Sequence, residues 1–92
     1  MADISMHRDH TLGVEEGRDA IEQVAQKLES ELGVDYHWDD NILRFDGSGA
    51  DGHIEVEADA VYVAINLSMF LSPMQGRVKE EAEDYLDRYL SS

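Results

Sequence analysis

Between Val34 and Leu67, apolar residues return at every second position in four successive runs joined by short connections. Val34, Tyr36 and Trp38 alternate with Asp35 and His37, and Leu43 and Phe45 alternate with Ile42, Arg44 and Asp46. Ile54, Val56 and Ala58 alternate with His53, Glu55 and Glu57, and Val61, Val63, Ile65 and Leu67 complete the set. A period of two puts the apolar side chains of each run on one face of a strand. Asp39-Asp40-Asn41 predicts a tight turn, residues 47–52 a loop, and Asp59 a short hairpin turn. Parallel strands need a crossover of roughly a dozen residues or more, which none of these connections supplies. The middle of the chain is therefore confined to a meander of antiparallel strands.

The flanking segments supply what covers its apolar face. Residues 2–7 alternate Ala2, Ile4 and Met6 with Asp3, Ser5 and His7, which predicts a fifth strand. Thr11 is placed to cap a helix, with Glu15 and Glu16 in the first turn, where the helix dipole favours acids. Val14, Ile21, Val24, Ala25, Leu28 and Leu32 recur at helical spacing and Gly33 supplies the stop, so this helix spans about 14–32. Near the other end Ser72 can cap, Pro73 fits the first helical position and Gln75 completes a capping box. Met74, Val78, Ala82, Tyr85, Leu86 and Tyr89 share one face of that second helix. The order β-α-β-β-β-β-α predicts an α+β fold: one antiparallel sheet with both helices on one face, the helix-grip or TATA-binding-protein-like arrangement. Such a likeness of fold carries no function with it.

Ninety-two residues fit a single domain, 1–92, with a modest core. The net charge of −14, from 21 acids against 7 bases, repels phosphate backbones, and no Lys/Arg cluster offsets it, so no nucleic-acid partner is expected. Leu67 to Leu71 is far shorter than the roughly 20 apolar residues of a membrane span. The first residues lack the basic start and apolar stretch of a signal peptide, and there is no cysteine. Both observations favour the cytoplasm. Much acid with little Lys also suits a salt-rich cytoplasm, where screening relieves self-repulsion, and it suits an acidic protein of an ordinary cell equally. A melting temperature that rises in molar KCl distinguishes the first from the second.

No constellation of nucleophile, base and stabiliser survives inspection, so no catalytic residue, cofactor or metal is assigned. His7 and His10 bracket Asp9, yet zinc needs three or four ligands and this spacing fixes none. Asp39–Asp40, Glu55–Glu57 and Glu80–Glu81 all fall in turns or on polar faces, away from the burial that tunes a catalytic carboxylate. Ser48 lies in Gly47-Ser48-Gly49, but Asp46 stands where a nucleophile elbow has Gly. Residues 46–57 lack the ligand pattern of an EF-hand loop. His10 fits a polar contact near the helix start, and His37 and His53 fit the solvated strand face. Trp38 and Phe45 read as core. The segment Leu67 to Met74 stands out because Leu67, Met69, Phe70, Leu71 and Met74 crowd one connection. It either plugs one end of the core or serves as an entrance to a sheet–helix cavity or an apolar contact with another surface.

Several short motifs, in order, resemble the polyhydroxyalkanoic acid system (granule-region) proteins. They are His10-Thr11-Leu12-Gly13 after Ile4, then Gly17-Arg18, then Ala25 and Leu28. Trp38, Leu43, Phe45, Gly49, Gly52, Ile54 and Val56 continue the likeness, and Leu67, Leu71 and Pro73 lead into the last helix. Gly17 departs from the family's usual Ala, as does the extreme acidity. The resemblance implies an intracellular, non-enzymatic protein that associates with polyester storage granules or regulates them. It supplies no catalytic residues, but it singles out His10 and Arg18. Either can be structural, Arg18 as an ion pair with Glu15 or Glu22. The residues expected to touch a granule surface or ligand are thus His10, Arg18, Met69, Phe70, Leu71 and Met74. Two partners stay open, a polyester granule surface and a small apolar ligand such as an acyl chain held between sheet and C-terminal helix. A homodimer through the open sheet face or an edge strand is compatible with both.

Overall fold

The structure is a computed structural model that describes residues 2–69 and 71–90. Strand β1 (Ala2–Asp9) leads into helix α1 (Gly13–Leu32). Four strands follow: β2 (Asp35–Asp39), β3 (Ile42–Asp46), β4 (Ala50–Val56) and β5 (Ala60–Leu67). A 3₁₀ turn over Ser72–Met74 then opens helix α2 (Gln75–Leu90). All five strands form one antiparallel sheet in the order β1-β5-β4-β3-β2. The meander built by the hairpins is closed by β1, which returns beside β5. The α+β arrangement expected from the periodicity is thus the observed one, with both helices packed on the sheet.

Helix α1 lies over β4 and β2, α2 lies over β1, and the two helices pack against each other. Ile21, Val24, Ala25 and Leu28 from α1 and Val78, Ala82, Leu86 and Leu90 from α2 meet Ile4, Leu43, Phe45, Ile54, Val63 and Ile65 from the sheet. Each large side chain buried there stabilises the fold by roughly 1.5–3 kcal/mol of removed apolar surface. Arg8 ties β1 to α2 through Asp87 (2.9 Å), with Glu83 at 3.8 Å. Both pairs are exposed enough to contribute little.

Several boundaries differ from the periodicity, each for a local reason. β1 runs on to Asp9 because it pairs with β5 along its whole length. α1 starts at Gly13 after Leu12, and Thr11 does not cap it. Val14 is 40 % exposed on the first turn, outside the buried stripe. β4 begins at Ala50, so residues 50–52 are strand, and Ala58 falls beyond its end at Val56. Gly52 permits this: a Cβ there would lie 2.0 Å from the carbonyl oxygen of Ala64. Val34 is buried but precedes β2. Pro73 and Met74 belong to the 3₁₀ turn, and Met74 is 44 % exposed instead of sharing the apolar face of α2. Phe70 lies outside the described residues, as do the side chains of Leu32 and Ser72. Gly33 closes α1 as expected, at φ 69°, with its N–H donating to the Glu29 carbonyl. Among the described residues no helix is long and apolar enough to cross a membrane.

Candidate functional site

The sheet has two ends, and the residues singled out by the sequence are divided between them. At one end β1 passes into α1 and β4 turns into β5. There His10 is 6 % exposed, and it is the buried polar side chain among the described residues. Its Nδ1 accepts the Leu12 N–H (3.1 Å), its Nε2 lies 3.0 Å from the Glu57 carbonyl oxygen, and its own N–H donates to the Asp59 carbonyl. The arrangement needs the neutral ring with the proton on Nε2. The imidazole therefore braces Leu12, the residue just before α1, and fastens it to the β4–β5 turn, while the first turn of α1 has no side-chain cap. Gly17 leaves room for it, since a Cβ at 17 would sit 3.1 Å from His10 Cε1 and 3.0 Å from Val56 Cγ1. His7, three residues earlier, points to the opposite sheet face and stacks on Tyr62. The two histidines therefore do not converge, and no group of three or more metal-ligating residues forms among the described residues.

At the other end β5 passes into α2. Met69 is 89 % exposed and Met74 44 % exposed, whereas Leu71 is half-buried and packs against the core. Leu71 closes over Gly49, where a Cβ would meet its Cδ1 at 2.7 Å. Ser68 N–H donates to the Gly49 carbonyl, and Leu71 and Met74 N–H groups donate to the carbonyls of Ser68 and Leu71. The connection is thus a hydrogen-bonded apex. One of its apolar residues, Leu71, turns inward, and the two methionines are left to solvent.

Arg18 belongs to neither end. Its guanidinium lies over the Trp38 ring, 4.7 Å from the centroid, and among the described residues it makes no ion pair with Glu15 or Glu22. Glu22 instead accepts hydrogen bonds from Tyr36 Oη (2.5 Å) and Trp38 Nε1 (2.8 Å). The Tyr36 bond, then the Trp38 bond, hold the Glu22 carboxyl below its usual range, and the same contact pushes Tyr36 up to about 12. An open cleft of about 570 Å³ lies beside this group, lined by Glu15, Glu16, Arg18, Asp19, Glu22 and Trp38. Trp38 is half-buried, so it is core on one side and platform on the other. The sequence signal for this trio was the inward register of Tyr36 and Trp38, facing a Glu embedded among the apolar positions of α1. Tyr85 likewise bonds to Glu31, which joins the two helices and raises its hydroxyl to about 12.

The acid pairs remain in solvent. Glu57 is raised by its hydrogen bond to Glu55 and by the mutual repulsion of the two carboxylates. The interface between sheet and α2, where an acyl chain would have to lie, is filled by Val78, Ala82, Leu86 and Leu90. A cleft of about 290 Å³ beside Arg8, Leu86 and Leu90 opens to solvent at its rim.

A family model described as "Putative polyhydroxyalkanoic acid system protein" matches residues 4–90. Among solved structures, the NMR structure of PA4090 from Pseudomonas aeruginosa is similar, with a TM-score of 0.65 and 12% sequence identity. The likeness covers 100% of this chain and 88% of that one, and at this identity it concerns the fold alone. No curated protein matches the chain.

Proposed function

This chain belongs to the polyhydroxyalkanoic acid system protein family, and on that premise we propose that it is a non-enzymatic, cytoplasmic protein that associates with polyhydroxyalkanoate granules. The observation that carries the reading is the apex between β5 and α2, where Met69 and Met74 stand exposed on a hydrogen-bonded turn. Methionine is unbranched and polarizable, which suits contact with an irregular apolar surface such as a polyester. Transferring a Met side chain fully out of water is worth roughly 1.5–3 kcal/mol, so two of them support adhesion that remains reversible once association costs are met. The −14 charge works in the same direction. It keeps the acidic body off anionic surfaces and leaves the apex as the surface with least charge to desolvate.

The test is retention on polyhydroxybutyrate particles. The wild-type protein is expected to sediment with them, and Met69→Asp/Met74→Asp to remain in the supernatant with an unchanged melting temperature. Retention of the wild type no greater than that of an acidic control protein of equal charge would overturn the proposal.

A further inference from the structure

The sheet face turned away from both helices is uncovered, and its charges are sorted into rows. Register places Asp35, Asp46 and Asp51 side by side on β2, β3 and β4. Two residues along each strand, on the same face, His37, Arg44 and His53 form a second row. An open cleft of about 380 Å³ lies over both rows. Like charges placed directly opposite one another on a sheet destabilise it. Among the described residues none of the three aspartates has an ion-pair partner within 4.0 Å. Arg44 has only a loose, exposed contact with Asp39 at 3.6 Å. Among the described residues the aspartate row thus stands without an ion pair, one row from the groups that would compensate it.

We propose that this face is a self-association surface, on which a second copy of the chain docks about a two-fold axis running across the strands between the two rows. That rotation reverses the strand direction and keeps each strand facing its own counterpart. Asp35 then meets His37 of the second copy, Asp46 meets Arg44, and Asp51 meets His53, each pair occurring twice by symmetry. The spacing that separates the rows within one copy is the spacing that brings them into register between copies. A uniformly basic partner would be opposed by the His37–Arg44–His53 row, whereas the same face inverted sets Arg44 of each copy against Asp46 of the other; the net charge of −14 on each copy opposes association, so the local match acts where salt screens that long-range repulsion.

The interface is small. Five strands at about 4.8 Å spacing and five to eight residues per strand give a footprint of roughly 400–600 Å², against about 800 Å² per partner in a standard complex. Affinity is therefore set by charge. His37 faces Arg44 across the strands, Asp35 and Asp39 along its own, and Asp46 diagonally. His53 faces Arg44 across the strands, Asp51 and Glu55 along its own, and Asp46, Tyr62 and Asn66 diagonally. Both helices lie on the other face and add no charge here.

Sedimentation velocity on the whole chain at pH 6 in about 0.15 M KCl, where the long-range repulsion is screened, tests this separately from granule binding when polyester particles are left out. The wild type is expected to dimerise there. Arg44→Asp and Asp46→Arg should each weaken the dimer by at least about tenfold. An equimolar mixture of the two should regain it, because each reversed charge then faces its opposite on the other variant. Both positions are exposed, and an unchanged melting profile marks the variants as folded. If either reversal unfolds the chain, Arg44→Gln replaces it and must still lower the dimer fraction. A wild type that is monomeric at pH 6 up to millimolar protein overturns the proposal. So do variants that still dimerise alone, or a mixture no better than its components.

Discussion

At one end of the sheet His10 is 6 % exposed, and both its ring nitrogens engage backbone groups from separate parts of the chain. At the other end Met69 is 89 % exposed. Both ends join a strand to a helix, and both attract attention in the sequence. The difference lies in what a substitution would leave behind. Removing the imidazole strands a buried donor and a buried acceptor, whereas removing the thioether strands nothing. One end is paid for by the fold, and the other is available to a surface.

The largest effect expected from this contrast is that of His10→Ala. Losing a buried ring with two hydrogen bonds should destabilise the chain by about 2–4 kcal/mol. In a domain of this size that lowers the melting temperature by roughly 10–30 °C. Retention on polyester particles, measured well below the new melting point, should be unchanged. A His10→Ala protein that melts like the wild type, or that stays folded and loses the particles, would erase the distinction between the two ends.

A smaller effect of the same kind is expected from Gly49→Ala, which tests how far the apex is built into the core. The new methyl would press on Leu71 Cδ1, at 2.7 Å. That atom is the end of a flexible side chain, so it can give way, and the cost should be about 1–2 kcal/mol. Because the displaced Leu71 carries the apex with it, this variant should also alter particle retention. Calorimetry and retention on one sample would show whether stability and surface contact are coupled at this end as they are not at the other.

The elements were legible because a period of two and a period of 3.6 are imposed by backbone geometry, and each strand and helix here buries one face. Short connections fixed the antiparallel pairing without reference to any other protein. What the periodicity missed depends on contacts between residues distant in the chain. Nothing local identifies His10 as the brace between the start of α1 and the β4–β5 turn, because its second partner, Glu57, lies 47 residues away. Arg18 suggested an ion pair with its helical neighbours, and it is drawn instead to Trp38 on β2, whose ring offers a flat face to the guanidinium. Residues 50–52 looked like loop because Asp51 and Gly52 are poor strand formers. The close approach of the β5 backbone explains the glycine. The charge rows of the open face are invisible until the register is known.

Glu22 offers a weaker perturbation between the two ends. Its carboxyl is held low by Tyr36 and Trp38, so its folded value lies below its unfolded one. The stability it contributes is present above the unfolded value of about 4.3 and is lost as pH falls through the folded value. Glu22→Gln should therefore cost stability at pH 7 and much less at pH 3. The pH 7 cost should stay below about 1 kcal/mol, because solvent screens a half-exposed group. A melting difference between wild type and variant that does not shrink on acidification would mean that the Tyr36 and Trp38 bonds do not depend on the charge.

The smallest expected effect is also the one on which the contrast depends most. Met69→Ser removes a side chain that is 89 % exposed, so the melting temperature should move by no more than about 0.5 kcal/mol allows. If the apex meets a polyester, the same change removes up to roughly 1.5–3 kcal/mol of transferred apolar surface, which is a tenfold loss of retention or more. A residue that matters to stability alone moves the melt, and a residue that matters to the surface alone moves the retention. Met69 should move only the second, and His10 only the first. Loss of both in Met69→Ser would place the methionine inside the fold's own packing, and loss of neither would take the apex out of granule binding.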